Sequence, residues 1–203
     1  LVHEDVHDAF AERFEATARQ IVVGDAIDPA TQFGPLVSRV QHERVAACVA
    51  AAREQGARVR VGGARPELPE PLDGGFFLEP TLLEDAAGAT SASAEEIFGP
   101  VTVLERFADE AEAVGRANAT RYGLACGVWT GDLARAHRVA RELDAGIVWV
   151  NKWFDLPAGV PMGGVKDSGF GRELSAETML EYSASKVVNM SLDTARPPLW
   201  GAG

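Results

Sequence analysis

The sequence is poor in several features that would each indicate a particular class of protein. Its 203 residues include only two cysteines, Cys48 and Cys126. Two cysteines without metal-ligand spacing argue against a structural zinc site and against a disulfide scaffold. Because cysteine is so scarce, we expect a cytoplasmic protein. No run of eighteen apolar residues and no charged-then-apolar leader occurs, so we expect neither a membrane span nor secretion.

Basic residues are also scarce. Nineteen Lys and Arg stand against thirty Asp and Glu, which gives a formal net charge of -11. This balance disfavours nonspecific binding to nucleic acid or to anionic membranes. The apolar fraction of 46% is ordinary for a globular domain. We therefore expect no nucleic-acid partner and no membrane partner.

Apolar periodicity predicts alternating helices and strands along most of the chain. The pattern indicates an α/β fold with a mainly parallel sheet flanked by helices. Predicted helices span 5–21, 38–55, 109–119, 132–143 and 176–182, and predicted strands span 58–61, 76–83, 101–107, 124–129, 147–151 and 186–192.

The first predicted helix has apolar residues at intervals of three and four. This spacing predicts that one stripe faces the core, made of Val6, Phe10, Phe14, Ala18 and Ile21. The four histidines fall on the polar sides of predicted elements, so we interpret them as solvated, with no ligand pair among them. They are His3, His7, His42 and His137.

One motif near the middle combines three chemical functions. Glu95-Glu96-Ile97-Phe98-Gly99-Pro100-Val101 offers a carboxylate, an aromatic ring and a Gly-Pro turn that lets backbone approach a ligand. A carboxylate can accept hydrogen bonds from a vicinal diol, and the ring can lie against a flat heterocycle. Taken alone, the motif could equally be a capped helix end that enters a core strand.

A second motif is rich in glycine. Pro161-Met162-Gly163-Gly164-Val165-Lys166-Asp167-Ser168-Gly169-Phe170-Gly171-Arg172-Glu173 predicts a loop with several unusual backbone angles. It contains neither the phosphate-loop pattern nor the dinucleotide fingerprint, so we do not interpret it as a phosphate site.

Together and in this order, the two motifs resemble the C-terminal part of the NAD(P)-dependent aldehyde dehydrogenase superfamily. The resemblance covers essentially the whole chain up to about Thr194. Supporting segments are Leu1-Val2-His3-Glu4-Asp5-Val6, Gly34-Pro35-Leu36-Val37, Phe77-Leu78-Glu79-Pro80-Thr81, Tyr122-Gly123-Leu124 and Lys186-Val187-Val188-Asn189.

The resemblance implies a reaction whose central residue is absent from the chain. In the family, a cysteine thiolate attacks the aldehyde, hydride passes to NAD(P)+, and the thioester is hydrolysed to the acid. The cysteine lies in a Gly-Gln-x-Cys segment that we expect upstream of Leu1, with the general base, the oxyanion-stabilising asparagine and the nucleotide-binding sheet further upstream. Neither Cys48 nor Cys126 has an activating neighbour, so we interpret both as inert packing residues.

The resemblance also assigns cofactor residues. Glu96 would bind the hydroxyls of the nicotinamide-side ribose, and Phe98 would lie against the nicotinamide. Gln41 and Arg44 match positions that contact the adenine-side ribose in relatives. The alternatives are a surface acid for Glu96, core packing for Phe98, and an ordinary polar helix face for Gln41 and Arg44.

The substrate residues implied by the resemblance lie later in the chain. Trp153, Phe154, Leu156 and Met162 match the wall of the aldehyde tunnel, and large apolar walls suit an aromatic or medium-chain aldehyde. Otherwise they fill the core. Glu173 matches a glutamate that relays protons to the upstream base; alternatively it forms an ion pair with Arg172 or Lys166.

Three hypotheses follow. The chain is part of an aldehyde dehydrogenase and is inactive alone, or it is a truncated homologue that acts as an assembly module, or it is one half of a split enzyme completed by a second polypeptide. We assign residues 1–183 to a partial catalytic domain and 184–203 to an oligomerisation strand and tail. The strand from Lys186 to Leu192 would pair between subunits of a homo-oligomer.

Overall fold

A computed structural model describes residues 1–85, 87–190 and 192. The chain divides into two compact units, residues 1–120 and the residues from Arg121 onward. The assignment of residues 1–183 to one partial catalytic domain stays a prediction. The separation of residues 184–203 as an oligomerisation strand and tail stays a prediction.

Unit 1 is built on a three-stranded sheet with one strand pair beside it. The order in the sheet is β2-β3-β4, with β2 and β3 antiparallel and β3 and β4 parallel, while β1 pairs with β5 in parallel. The elements are β1 (Val2–His3), α1 (Glu4–Ala18), α2 (Arg39–Glu54), β2 (Arg58–Val61), β3 (Thr81–Glu84), α3 (Ser91–Ala94), β4 (Val101–Leu104), β5 (Arg106–Phe107) and α4 (Glu110–Ala119).

Helix ends in both units follow the local capping signals in the sequence. The Ser38 hydroxyl accepts a hydrogen bond from the Gln41 amide at 3.2 Å, and Gly56 follows α2 with φ of 105°. Asp109 caps α4 in the same way, and Asp132 caps the helix that follows it in unit 2. Polar side chains at the first position satisfy free amides, and glycine accepts the left-handed angle after a helix.

The core of unit 1 lies on both faces of β3. Successive strand residues point to opposite faces, so Leu82 and Leu83, both fully buried, belong to different clusters. One cluster joins β3 to α2 through Val45 and Val49. The other joins it to α1 through Ala11, so β3 is the strand on which two helices are packed.

The predicted buried face of α1 is confirmed in its second half, where Phe14 packs against the core cluster and Ala18 is buried, and is wrong in its first half. Val6 and Phe10 are 55% and 45% exposed, whereas His7 and Ala11 are fully buried. In the first half of α1 the buried positions lie on the adjacent stripe, which leaves Val6 and Phe10 outside the core. The interpretation of His7 as solvated is therefore also wrong.

The described part of unit 2 contains two separate strand pairs and two helices. Parallel β7 and β8 form one pair, and antiparallel β6 and β9 form the other. The elements are β6 (Tyr122–Gly123), β7 (Ala125–Val128), α5 (Leu133–Glu142), β8 (Ile147–Val150), β9 (Val165–Lys166) and α6 (Ala176–Glu181). The α/β class is confirmed, but small sheets of mixed direction replace the predicted mainly parallel sheet.

The glycine-rich motif of unit 2 folds back on itself. Met162 and Glu173 exchange backbone hydrogen bonds at 3.0 and 2.7 Å, and β9 lies between them in the chain. Gly169 and Gly171 adopt φ of 101° and 90°, which glycine accepts without steric cost. The predicted loop is therefore a hairpin-like turn.

The predicted strand at 186–192 is not formed in the part of it that the structure describes. Residues 186–190 and 192 have no regular structure and are exposed. Its pairing between subunits stays a prediction. None of the described helices has both the length and the apolar character needed to cross a bilayer.

Candidate functional site

The Glu96–Phe98 segment projects two candidate ligand-binding groups from a buried anchor. Glu96 is exposed, Ile97 is buried in the α2 cluster, and the Phe98 side chain is 75% exposed. Phe98 has φ of 55°, an angle that is uncommon for a residue with a side chain. The ring and the carboxylate are thus free for a ligand, and the core-packing alternative for Phe98 is not what the structure shows.

Two side chains on α2 bind the backbone of this segment. The Gln41 side-chain amide donates to the carbonyl of Phe98 at 2.8 Å and to that of Ile97 at 3.3 Å. The Arg44 guanidinium donates to the carbonyl of Glu96 at 2.8 Å and to that of Ile97 at 3.4 Å. If Gln41 and Arg44 only formed an ordinary polar helix face, as in the alternative, they would need no specific partner, whereas both bind this backbone. Contact with an adenine-side ribose stays a prediction for both.

Gly99 lets the segment lie directly against α2. A Cβ atom at this position would be 2.8 and 2.9 Å from the two methyl carbons of Val45, too close without a shift. The next residue is held by β3, because the Thr81 amide donates to the Pro100 carbonyl at 2.7 Å. The segment is consequently fixed on the helix side and on the sheet side.

Asp85 anchors the turn that leads into the segment. Its carboxylate accepts hydrogen bonds from the Thr90 amide at 2.8 Å, the Ala89 amide at 3.2 Å and the Ser93 hydroxyl at 2.8 Å. Burial alone would raise the pKa of Asp85, but these hydrogen bonds favour the charged form and lower the pKa below its ordinary value of 3.8. The sequence analysis missed this residue.

Unit 2 contains a cluster of four aromatic rings. Trp153 makes an edge contact with Trp149 at 4.9 Å between centroids and stacks with Trp129 at 6.5 Å, and Phe154 lies 6.4 Å from Trp149. Trp149 is buried, and its indole N–H donates to the Asp155 carbonyl at 2.8 Å. The cluster therefore has a fixed base and exposed outer rings.

Gly127 makes room for two of these rings. A Cβ atom there would be 2.5 Å from the Trp129 indole and 3.0 Å from the Trp153 indole. The sequence analysis named Trp153 and Phe154 but missed Trp129 and Trp149, which the parallel pairing of β7 and β8 brings beside them. Their place at matching ends of two adjacent strands was the available signal.

The other predicted substrate and relay residues are only partly accounted for. Leu156 and Met162 are half-buried, and Met162 is bridged to Glu173 through backbone. Glu173 is exposed, so this chain does not supply the burial that a relay acid needs. The predicted ion pairs of Glu173 are not seen among the described residues: Lys166 lies 3.7 Å from Asp144, and the Arg172 guanidinium donates to backbone carbonyls.

Neither cysteine has the environment of a nucleophile. Both are half-buried and free. Burial raises the pKa of the Cys126 thiol above its ordinary value, although Lys166 acts in the opposite direction. A raised pKa reduces the thiolate fraction at neutral pH, which supports the interpretation of Cys126 as a packing residue.

His7, Asp8 and Glu84 form a cluster whose ligand atoms all lie within 4.8 Å of one another. Two arginines already neutralise it. Arg106 donates to Asp8 at 2.7 Å and lies 3.0 Å from His7 Nδ1, and Arg60 donates to Glu84 at 3.1 Å. A metal ion would have to displace these guanidinium groups, so we assign the cluster a structural role.

Unit 1 also has an apolar groove of about 340 Å³ beside α1. It contains none of the predicted site residues, and the surface of its lining is almost entirely apolar, so we do not interpret it as the cofactor site. It is lined by Phe14, Thr17, Ala18, Ile21, Phe33, Pro80, Thr81, Pro100 and Thr102.

Comparisons with known proteins agree on one family. The model of the aldehyde dehydrogenase family matches residues 1–188. A betaine aldehyde dehydrogenase from Mesorhizobium japonicum is 43% identical over 198 residues, which are 97% of this chain and 40% of that protein. The corresponding enzyme from Brucella anthropi is 41% identical over 98% of this chain and 40% of its own length. The chain thus spans about 40% of the length of these curated relatives.

Solved structures agree with the sequence matches. Betaine aldehyde dehydrogenase from Staphylococcus aureus in complex with NAD+ superposes with a TM-score of 0.87 at 34% identity, over 97% of this chain and 40% of that one. The NAD+ complex of an aldehyde dehydrogenase from Bacillus cereus gives a TM-score of 0.87 at 36% identity, over 95% and 38%. The chain belongs to the aldehyde dehydrogenase family.

Proposed function

We propose that the chain supplies part of the cofactor and substrate sites of an NAD(P)-dependent aldehyde dehydrogenase whose nucleophile lies on polypeptide outside these 203 residues. The observation that carries the proposal is the exposed Phe98 ring beside the exposed Glu96 carboxylate, on a backbone segment held by α2. Our placement of the chain in the C-terminal part of the longer protein is a prediction from the order of its motifs.

These residues fit a nicotinamide dinucleotide. NAD(P)+ would supply the hydride acceptor. An exposed flat ring can support the nicotinamide, and a solvent-facing carboxylate can accept from both hydroxyls of the adjacent ribose through charge-assisted hydrogen bonds. The NAD+ complexes of the Staphylococcus aureus and Bacillus cereus relatives agree with this choice of cofactor. Glu173 as a proton relay depends on a general base that would also lie outside the chain.

The aromatic cluster of unit 2 indicates the substrate class. Exposed Trp153 and Phe154 can pack on an aromatic or medium-chain aldehyde. Tryptophan faces also attract quaternary ammonium groups, and two curated relatives that are 43% and 41% identical to this chain are named for betaine aldehyde. We therefore include a cationic aldehyde, recognised by the rings of Trp129 and Trp153.

The test compares this chain with the longer polypeptide that contains it. With NAD+ and a panel of aldehydes, we expect NADH production from the longer polypeptide and none from the 203-residue chain, because the nucleophile is missing. The panel pairs betaine aldehyde with 3,3-dimethylbutanal, its neutral isostere, so that a preference for the cation is measured separately from shape. Cysteine-dependent NADH production by the 203-residue chain would disprove the proposal that the nucleophile lies outside it.

Glu96→Gln in the longer polypeptide tests the cofactor wall. Losing a charge-assisted bond of about 1.4 kcal/mol should raise the KM for NAD+ about tenfold. Glu95→Gln makes the same chemical change one residue earlier and should alter KM less than twofold. Equal effects of the two variants would remove the role proposed for Glu96.

A second proposed function, assembly through the C-terminal segment, is favoured by its exposed apolar residues. Val187, Val188 and Met190 are 90%, 72% and 74% exposed. We propose that this segment pairs with a second copy of the chain or with a complementing polypeptide. Deleting residues 186–192 should lower the mass measured by light scattering to that of one chain. If the deletion left the oligomeric mass unchanged, the proposed pairing through residues 186–192 would be wrong.

A further inference from the structure

Gln41 and Arg44 together bind three successive carbonyl groups, those of residues 96 to 98. The two side chains are three residues apart on α2 and thus lie on one face of the helix. The carbonyls they bind are more than fifty residues away in sequence. These contacts join the helix to the backbone of the segment that carries Glu96 and Phe98.

The backbone at Phe98 needs such support. Its φ of 55° is strained for a residue with a side chain and persists only where the surroundings impose it. Packing of the ring does not impose it, because the ring is 75% exposed. The fixed points are Ile97 in the core, Gly99 against Val45, and the hydrogen bonds from Gln41 and Arg44.

The donor inventory shows how much of each side chain is committed to this backbone. A glutamine amide has two N–H groups, and Gln41 directs its amide nitrogen at two carbonyls. Binding a ribose with the same nitrogen would require releasing the Phe98 backbone. Arg44 directs one hydrogen bond from each of its two terminal nitrogens at this backbone.

We infer that Gln41 and Arg44 are positioning residues that hold the Glu96–Phe98 backbone and so fix the direction of the carboxylate and the ring toward the nicotinamide end of the cofactor. The inference rests on the proposed function. It replaces the adenine-side ribose contact as the main role of these two residues.

The kinetic test uses the longer enzyme with Gln41→Met, which keeps side-chain length but has no donor. Inhibition by 5′-AMP reports on the adenine side alone, since AMP has neither the nicotinamide nor its ribose. We expect kcat to fall at least tenfold while the AMP inhibition constant changes less than twofold. Arg44→Met should lower kcat about fivefold, and Arg44→Lys should restore it to within twofold, because lysine returns a charged donor.

Three results would overturn the inference. They are weaker AMP inhibition with unchanged kcat, a parallel loss of both, and no change in either. The first two would indicate direct contact with the adenine-side ribose, and the third would indicate no functional role.

A second readout is independent of activity. In the 203-residue chain, Gln41→Met should accelerate hydrogen exchange in the 95–101 peptide at least tenfold and leave α4 unchanged. Gln20→Met makes the same substitution at an exposed position of unit 1 and should leave both peptides unchanged. Unchanged exchange at 95–101 would refute positioning. If the unaltered longer enzyme produced no NADH, the proposed function would fail while the exchange result still decided whether Gln41 holds the backbone.

Discussion

Replacing Gly146 by alanine is expected to destabilise unit 2 strongly, because the added Cβ atom would make the closest contact of any at a glycine of this unit. A Cβ atom at Gly146 would lie 1.7 Å from the carbonyl oxygen of Gly163 and 2.8 Å from its carbonyl carbon. Both are backbone atoms, so no side-chain rotation relieves the overlap. The glycine-rich turn would have to move away from the start of β8, at a cost of about 4 kcal/mol, the upper range for single substitutions.

The measurement is urea unfolding followed by tryptophan fluorescence, since Trp149 and Trp153 lie in the same unit. Gly131→Ala is the matched control, because nothing lies within 4 Å of a Cβ atom at Gly131. It should change the free energy of unfolding by less than about 0.5 kcal/mol. Equal stability of the two variants would show that the turn and β8 are not in close contact.

Local signals in the sequence predicted local structure well. Ser38, Asp109 and Asp132 begin helices where their side chains can accept from free amides, and Gly56 follows the end of α2. Each of these helix boundaries is set by hydrogen bonds or backbone angles within a few residues. The boundaries could therefore be predicted without knowing what packs against each helix.

Arrangement in space was harder to predict. The run 101–107 looks like one strand, but β4 and β5 pair in different sheets, because their partners β3 and β1 are themselves separate. The buried positions in the first half of α1 are set by packing against the sheet, and apolar periodicity alone predicted Val6 and Phe10 there, where His7 and Ala11 are buried. Which strands pair and which helix face is buried depends on packing between distant segments, and a single sequence does not show which segments are in contact.

The candidate site shows the same division. The motif itself was visible, because Glu96, Phe98 and the Gly-Pro turn are contiguous. What holds the motif was not visible. The resemblance assigned Gln41 and Arg44 to the adenine-side ribose, and nothing in the sequence linked them to the motif backbone that they bind. Trp129 and Trp149 were missed as partners of Trp153 for the same reason.

The second large effect is expected at Asp85. Asp85→Ala would leave the Thr90 and Ala89 amides and the Ser93 hydroxyl without their acceptor. Unsatisfied buried donors beside a lost charged acceptor should cost about 3 kcal/mol. Because this turn leads into α3 and then Glu96, the variant should also weaken NAD+ binding in the longer enzyme.

The pH dependence of stability isolates the charge of Asp85. Its pKa is lower in the folded chain than its ordinary value of 3.8. From about pH 5 upward the carboxylate is ionised in both the folded and the unfolded chain, and its contribution to stability is fully present. As the pH falls below 3.8 the unfolded chain takes up the proton first, so the contribution is lost progressively through the folded pKa.

Asp85→Asn removes this titration while keeping the side-chain size. The unaltered chain should be more stable than the variant by about 2 kcal/mol at pH 7, and this gap should narrow between pH 4 and pH 2, as measured by urea unfolding at each pH. Asp132→Asn at the exposed cap of α5 serves as the control, because Asp132 also has a lowered pKa, caused first by its backbone hydrogen bond with Arg135. Its gap should be smaller at every pH, since solvent can replace the lost acceptor. A gap for Asp85→Asn that stayed constant down to pH 2 would mean that the hydrogen bonds, and not the charge, account for the anchor.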